Sequence, residues 1–238
     1  MKIICTICAR GGSQGVKNKN IIFLKGKPLI AHSILQAKKS GLFDVIAVSS
    51  DSEKIRAVSQ RWGADYVVER PLEMATSTAP KLPVIQHAVS TIEEKLGINF
   101  DVMVDLDATS PLRSIADVQE SVKLLMNHPT AGNMITGFPS RRSPYFNMVE
   151  VNVAGFAQLA KKIDVPVTRR QDVPASYDMN ASIYVWKREA FFQEKTVVND
   201  RTLLYVMPEE RSIDIDSPVD LQLVRTLAKH RKDLAWNE

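Results

Sequence analysis

Hydrophobic and polar positions along the chain fall into two periods that take turns. Residues 2–9 form an apolar run of strand length that stops at Arg10-Gly11-Gly12. Residues 28–40 read as a helix, with Pro28 near its start, and residues 44–50 as a second strand carrying Val45, Ile46 and Val48. Asp51 and Ser52 are caps for a helix holding Ile55, Val58 and Trp62, and residues 64–68 are a short third strand. Leu82, Ile85, Val89, Ile92 and Leu96 recur at spacings of three and four, one face of a helix. Residues 101–106 give another strand, and Ile115, Val118, Val122 and Leu125 another helix. Such alternation predicts an α/β fold: a mostly parallel sheet with helices on both faces and ligands at the carboxyl ends of its strands.

The rhythm breaks near Gly132. Residues 134–178 hold several prolines, paired arginines and short alternating stretches such as 148–153, which predicts a β-rich excursion inserted into one domain spanning 1–238. The α/β pattern resumes at residues 181–186, followed by a strand at 203–207 and the segment 212–216. Ser217-Pro218 is a helix start with proline at the first helical position and Asp220 in the first turn.

Composition narrows the class. Hydrophobic residues make up 45% of the 238, enough for a sizeable core, yet no apolar run approaches the roughly 20 residues of a membrane helix. The apolar start lacks a charged leader and a cleavage site, so a cytoplasmic protein is expected. Charge changes the picture more through its placement than its total. Lys2, Arg10, Lys17, Lys19, Lys25, Lys27, Lys38 and Lys39 all precede the first acidic residue, Asp44. A carboxylate-free cationic stretch suits a multiply charged anion such as a triphosphate; Lys38 and Lys39 read as a solvated face. Few aromatics and no RNP, KH or zinc-finger pattern argue against nucleic acid as a partner. Cys5 and Cys8 have C-x-x-C spacing but lie in a strand pattern, where residues three apart face opposite ways, so they read as buried thiols rather than a redox or zinc pair.

Three constellations carry candidate chemistry. Residues 9–20, Ala9-Arg10-Gly11-Gly12-Ser13-Gln14-Gly15-Val16-Lys17-Asn18-Lys19-Asn20, directly follow a strand. Three glycines let the backbone turn its N–H groups toward phosphate oxygens, and Arg10, Lys17 and Lys19 neutralise charge. The segment matches neither the Walker pattern nor the dinucleotide G-x-G-x-x-G, which disfavours an oxidoreductase. Asp214-Ile215-Asp216 puts two carboxylates on one side of an extended segment, suited to Mg²⁺ with substrate phosphates or, before Ser217-Pro218, to simple capping. Asp105-Leu106-Asp107-Ala108-Thr109-Ser110-Pro111-Leu112-Arg113 ends a strand, where Thr109 and Ser110 offer hydroxyls and Arg113 a cation, with Ser110 also a candidate cap.

Taken together these residues resemble the CMP-sialic acid synthetase (acylneuraminate cytidylyltransferase) family almost end to end. The motifs that carry the resemblance are the Ala9–Ser13 loop with Lys19-Asn20, Arg70-Pro71 with Thr78-Ala79, and Thr109-Ser110-Pro111-Leu112-Arg113; Arg170-Gln171, Asn180 and Ser212-Ile213-Asp214-Ile215-Asp216 complete the set. The resemblance implies a Rossmann-like three-layer α/β/α fold with a small dimerisation extension, hence a homodimer. It implies transfer of CMP from CTP to the anomeric hydroxyl of a nonulosonic acid, with Mg²⁺ on Asp214 and Asp216. Ala9, Arg10, Gly11, Gly12, Lys19, Asn20, Arg70, Thr78 and Ala79 match positions on the nucleotide side; Arg10 and Lys19, with the two aspartates, match catalytic positions. On the sugar side fall Asp107, Thr109, Ser110, Arg113, Asn180 and Arg170, the last reaching toward a neighbouring subunit's site in family dimers.

Two departures point to a branch. The family usually has Gln-Pro-Thr-Ser where this chain has Asp107-Ala108-Thr109-Ser110, and Arg-Pro-Asn-Gly where it has Asp178-Met179-Asn180-Ala181. These phrases resemble the legionaminic acid branch, whose sugar carries two acylated amines and a deoxy terminus, and Asp107 is then a reader of an amide N–H. Competing readings are activation of sialic acid or Kdo instead and, in another class, a non-catalytic nucleotide-binding regulator, which would have no use for the paired aspartates.

Overall fold

The computed structural model describes residues 1–13, 15–163 and 169–236. The first half runs β1 (Ile3–Cys8), the two-residue strands β2 (Phe23–Leu24) and β3 (Lys27–Pro28), α1 (Leu29–Ser40), β4 (Val45–Ser50), α2 (Glu53–Arg61), β5 (Tyr66–Glu69), α3 (Lys81–Leu96), β6 (Val102–Leu106) and α4 (Ile115–Met126). The second half holds β7 (Asn133–Pro139), β8 (Val149–Val151), β9 (Ala157–Leu159), β10 (Tyr177–Lys187), α5 (Arg188–Gln193), β11 (Thr202–Val206) and α6 (Pro218–Lys229). Seven strands form one sheet in the order β11-β7-β10-β6-β1-β4-β5. All its pairings are parallel except those of β10, which runs antiparallel to both β6 and β7. The fold is the three-layer α/β/α arrangement expected from the alternating pattern.

Strand alternation builds the two faces. Ile3, Cys5 and Ile7 of β1 pack into one core with Ile30 and Ile34 of α1, Ile55 of α2 and Val118 and Val122 of α4. Ile4, from the same strand, points into the other core with Leu82, Ile85, Val89 and Ile92 of α3 and Phe191 of α5. Cys5 and Cys8 therefore face opposite ways, and both remain free thiols. Burial pushes both thiols up, further raised by the Asp105 carboxylate, so neither is a ready nucleophile.

A third, smaller core anchors the end of the chain to the first loop region. Ile215, Val224 and Ala228 pack there with Leu24, Leu29 and Leu112. Ser217 caps α6 by accepting from the Asp220 N–H, Asp220 returns a bond to the cap, and proline stands in the first turn, as the sequence motif predicted.

The excursion begins later and ends earlier than the pattern at 134–178 suggests. Residues of β7 pair inside the sheet, and so does β10 from Tyr177 onward. What leaves the sheet lies between, where β8 and β9 form an antiparallel hairpin with Val149, Val151 and Phe156 exposed. Among the described residues no helix is long and apolar enough to cross a membrane.

Candidate active site

The loop after β1 sits at the carboxyl edge of the sheet, where the strand order places it. Ala9 is buried and donates its N–H to the Ser49 carbonyl at 3.0 Å. The Gly11 N–H donates to Asp51 Oδ1 at 2.9 Å. Asp51 is thus not a cap; Ser52 alone caps α2, accepting from the Ile55 N–H, and Asp51 holds the loop. Gly12 is exposed with open space around it. Buried Asn20 closes the loop by donating from Nδ2 to the Arg10 carbonyl at 2.9 Å. Gly15 is a close-approach glycine: a Cβ there would lie 1.9 Å from the Asp216 carbonyl oxygen.

That approach joins the two ends of the sequence. Lys19 Nζ donates to the Ile215 carbonyl and reaches Asp216 Oδ1 at 2.9 Å. Ile215 is fully buried in the third core and turns its neighbours outward, so Asp214 and Asp216 both line one cavity. They differ in setting. Asp216 is mostly solvent-exposed, whereas Asp214 accepts from the Ser110 hydroxyl and from the Ala181 N–H at 2.9 Å. Burial, only partly offset by the Ala181 bond, pushes the Asp214 carboxyl up to about 6.

The cavity has a volume of about 370 Å³ and is lined by Arg10, Lys19 and Asn20 on the loop side and by Arg70 and Ala79 beyond β5. Arg70 is largely buried, with Nη2 on the Ser49 carbonyl at 2.9 Å and Nε on the Ser49 hydroxyl at 3.2 Å. Thr78 is exposed outside the lining; its neighbours Thr76 and Ser77 line the cavity instead.

Asp107 and Thr109 form the opposite wall with Lys81. Asp107 Oδ1 accepts from both the Thr109 N–H and the Thr109 hydroxyl, each at 2.9 Å, and Oδ2 accepts from Lys81 Nζ at 3.0 Å. Burial would raise the Asp107 carboxyl; Lys81 and the two Thr109 donors outweigh it and hold the group below the usual carboxylate range. Asp105, one strand period earlier and fully buried, meets the same ammonium at 3.2 Å as a charge contact and accepts from the Thr6 hydroxyl at 2.8 Å. Burial presses Lys81 toward neutrality, but Asp107 and Asp105 keep it protonated, well above its ordinary range. Its Nζ also lies 4.2 Å from the centre of the Tyr184 ring.

Sequence reasoning missed Lys81. It begins α3 after Pro80, and a cation in the first turn faces the positive end of the helix dipole. That placement is the local signal that a carboxylate partner must lie nearby.

Three expected sugar-side residues are not in the cavity. Arg113 is fully buried beneath it, holding the Asp107 carbonyl, the Ser33 hydroxyl and, at 3.2 Å, the Ser182 hydroxyl. Burial lowers its guanidinium to about 10. Ser110, also buried, turns its hydroxyl to Asp214. Asn180 lies in an irregularity of β10, where the four residues Asn180–Ile183 stand opposite Thr136 alone. Its Oδ1 accepts from the Thr136 hydroxyl, and the bulge presents the Ala181 N–H to Asp214. These three shape the wall and do not line it. Arg170 starts the short turn Arg170–Asp172, and its side chain lies outside the described residues, as does Gln14 of the loop.

A model of the family described as cytidylyltransferase matches residues 4–234. The chain is 42% identical over 230 residues, 97% of its length and 96% of the other's, to post-translational flagellin modification protein B of Campylobacter coli. It is 42% identical over 226 residues, 95% and 94% of the two lengths, to CMP-N,N'-diacetyllegionaminic acid synthase of Campylobacter jejuni. A solved CMP:2-keto-3-deoxy-manno-octonic acid synthetase complexed with CTP shares the fold, with a TM-score of 0.65 at 18% identity over 96% of this chain and 99% of that one.

Proposed function

This chain belongs to the cytidylyltransferase family, and we propose that it transfers CMP from CTP to the anomeric hydroxyl of N,N'-diacetyllegionaminic acid, releasing pyrophosphate. The observation that carries this reading is that Lys19, ion-paired with Asp216, lines one cavity together with Asp214 and Asp107. A cationic loop, a carboxylate pair and a carboxylate able to read a sugar amide then share one space. The relative named as a legionaminate synthase supports the choice of sugar. Consumption of CTP suits a cytoplasmic enzyme.

In this reaction the sugar hydroxyl loses its proton to the surrounding water, its oxygen bonds to the α-phosphorus, and the bond from that phosphorus to the bridging oxygen breaks as pyrophosphate departs. The protein's task is positioning and charge neutralisation. Arg10 and Lys19, with the N–H groups of the glycine loop, face the β and γ phosphates. Arg70 and Ala79 border the nucleotide side, and Asp107 and Thr109 the sugar.

Asp214 and Asp216 fit Mg²⁺. Both are hard oxygen donors on one cavity, and Asp214 is a largely buried carboxylate that ion-pairs with no cation among the described residues. When bound, the ion would supply charge neutralisation at the phosphates and acidify the sugar hydroxyl. The exposed apolar hairpin β8–β9 suits contact with a second copy, and loss of dimer in light scattering of Phe156→Ser would support that pairing.

Pyrophosphate release from CTP with a panel of nonulosonic acids tests the activity. Release with N,N'-diacetyllegionaminic acid above all others is expected. Preference for sialic acid would move the chain to that reading, and release with none would make it a binder. Asp216→Asn should lower turnover by about 10²–10³-fold at saturating Mg²⁺; unchanged turnover would sink the metal assignment.

A further inference from the structure

We propose that Lys81 is a specificity-determining residue, positioning Asp107 as an acceptor for the second acylamino group of the sugar. This rests on the activity proposed above and assigns a residue that acts through Asp107 at the same site.

A carboxylate offers about four acceptor sites over its two oxygens. On Asp107, Oδ1 already takes two donors from Thr109, and Oδ2 takes one from Lys81. One acceptor site is left, and it lies on Oδ2, the oxygen that Lys81 holds. Asp107 keeps 20% of its side chain exposed and lines the cavity, so that site is open to a donor from a ligand. With no donor group of its own when ionised, Asp107 rejects a bare acceptor, and because Lys81 fixes where the open Oδ2 site points, an amide N–H and a hydroxyl on the same ring carbon reach it in different geometries.

Lys81 is itself held from three sides. Asp105 Oδ2 lies at 3.2 Å, Asp107 Oδ2 at 3.0 Å and the Tyr184 ring centre at 4.2 Å. Asp105 is in turn fixed by the Thr6 hydroxyl on the neighbouring strand. The chain of contacts runs from the centre of the sheet to one carboxylate oxygen, so the acceptor's direction is set by rigid elements. The half-buried Lys81 ammonium and the Asp107 carboxylate neutralise each other at 3.0 Å, so lysine and aspartate work as a couple.

The test compares kcat/KM for N,N'-diacetyllegionaminic acid with that for sialic acid in four proteins: wild type, Lys81→Met, Asp107→Asn and the double variant. Lys81→Met should lower the ratio of the two by about tenfold through KM for the sugar, with KM for CTP unchanged. In the Asp107→Asn background the same change should move the ratio less than about twofold, since the partner is already gone. An equal effect in both backgrounds, or a change carried by KM for CTP, overturns the proposal. Lys81→Met strands Asp105 in the core; if it does not fold, Asp105→Asn is compared with Asp105→Asn/Lys81→Met, and the same ratio decides. A wild type that turns over both sugars with an unchanged ratio in the variants removes only this inference. A wild type that turns over no nonulosonic acid removes the activity and the inference together.

Discussion

The two walls of the cavity neutralise charge in different ways. On one, Arg10 and Lys19 sit on a turn whose shape comes from glycines and from backbone N–H groups, with Asp216 mostly in solvent. On the other, Lys81, Asp105, Asp107 and Arg113 pack their charges into or beneath the sheet edge, tied by Thr6, Ser33, Thr109 and Ser182. The first wall is a loop tied down by hydrogen bonds from Ala9, Gly11, Asn20 and Lys19. The second is part of the core, so its chemistry and its stability are the same interactions. An exposed pair adds little to folding, whereas a buried charge that loses a partner costs several kcal/mol.

Substitutions should separate the walls. The largest effect is expected at Lys19→Met: kcat/KM should fall about 10²–10³-fold, while stability in urea falls by only about 1 kcal/mol, since the change removes one donor from the Ile215 carbonyl and an ion pair whose acid is exposed. A large drop in stability would erase the distinction. Arg113→Met should do the reverse on the other wall. It takes the guanidinium donor from two buried hydroxyls and leaves the Asp107 carbonyl with Ser33 alone as its side-chain donor, a loss of about 2–4 kcal/mol in urea unfolding.

Acid should also tell them apart. The Asp107 carboxyl is held low in the folded protein, against the pull of burial, by Lys81 and Thr109. A depressed folded value stabilises above the ordinary carboxylate range near about 4 and is lost as pH falls through the folded value. As pH falls from about 5 through the folded value, wild type should lose stability faster than Asp107→Asn. Parallel curves would show that the couple contributes nothing to folding.

The smallest effect is at the seam. Gly15→Ala puts a methyl group where the Asp216 carbonyl stands, at 1.9 Å, so the loop must shift away from the paired aspartates. Turnover should fall about tenfold, the scale of a displaced positioning group, with the fold intact by circular dichroism.

Legibility followed the same division. The cationic loop, the D-x-D segment and the Ser217-Pro218 cap were readable because each is a contiguous stretch whose residue types state their use. Arg113 looked like a cavity cation because nothing local says that an arginine beside Ser114 will turn under the sheet. Asn180 looked like a sugar contact because a bulge cannot be seen without the partner strand, and the register of β10 against β7 shifts there. Lys81 escaped notice because its carboxylates lie on β6 and just after it, beyond the whole of α3. Its place in the first turn of that helix was the one local hint.

By itself, the sequence determined the alternation of strands and helices as far as α4, the opposite facing of Cys5 and Cys8, the glycine loop and the presence of two carboxylates two residues apart. Those features depend on periodicity and backbone freedom, which act within a few residues. Only the tertiary structure decided that Lys19 closes on Asp216, that Arg113, Ser110 and Asn180 support the wall, and that Lys81 stands behind Asp107. Those outcomes depend on which charges are buried together, and burial is set by how distant segments pack, not by any stretch of chain alone.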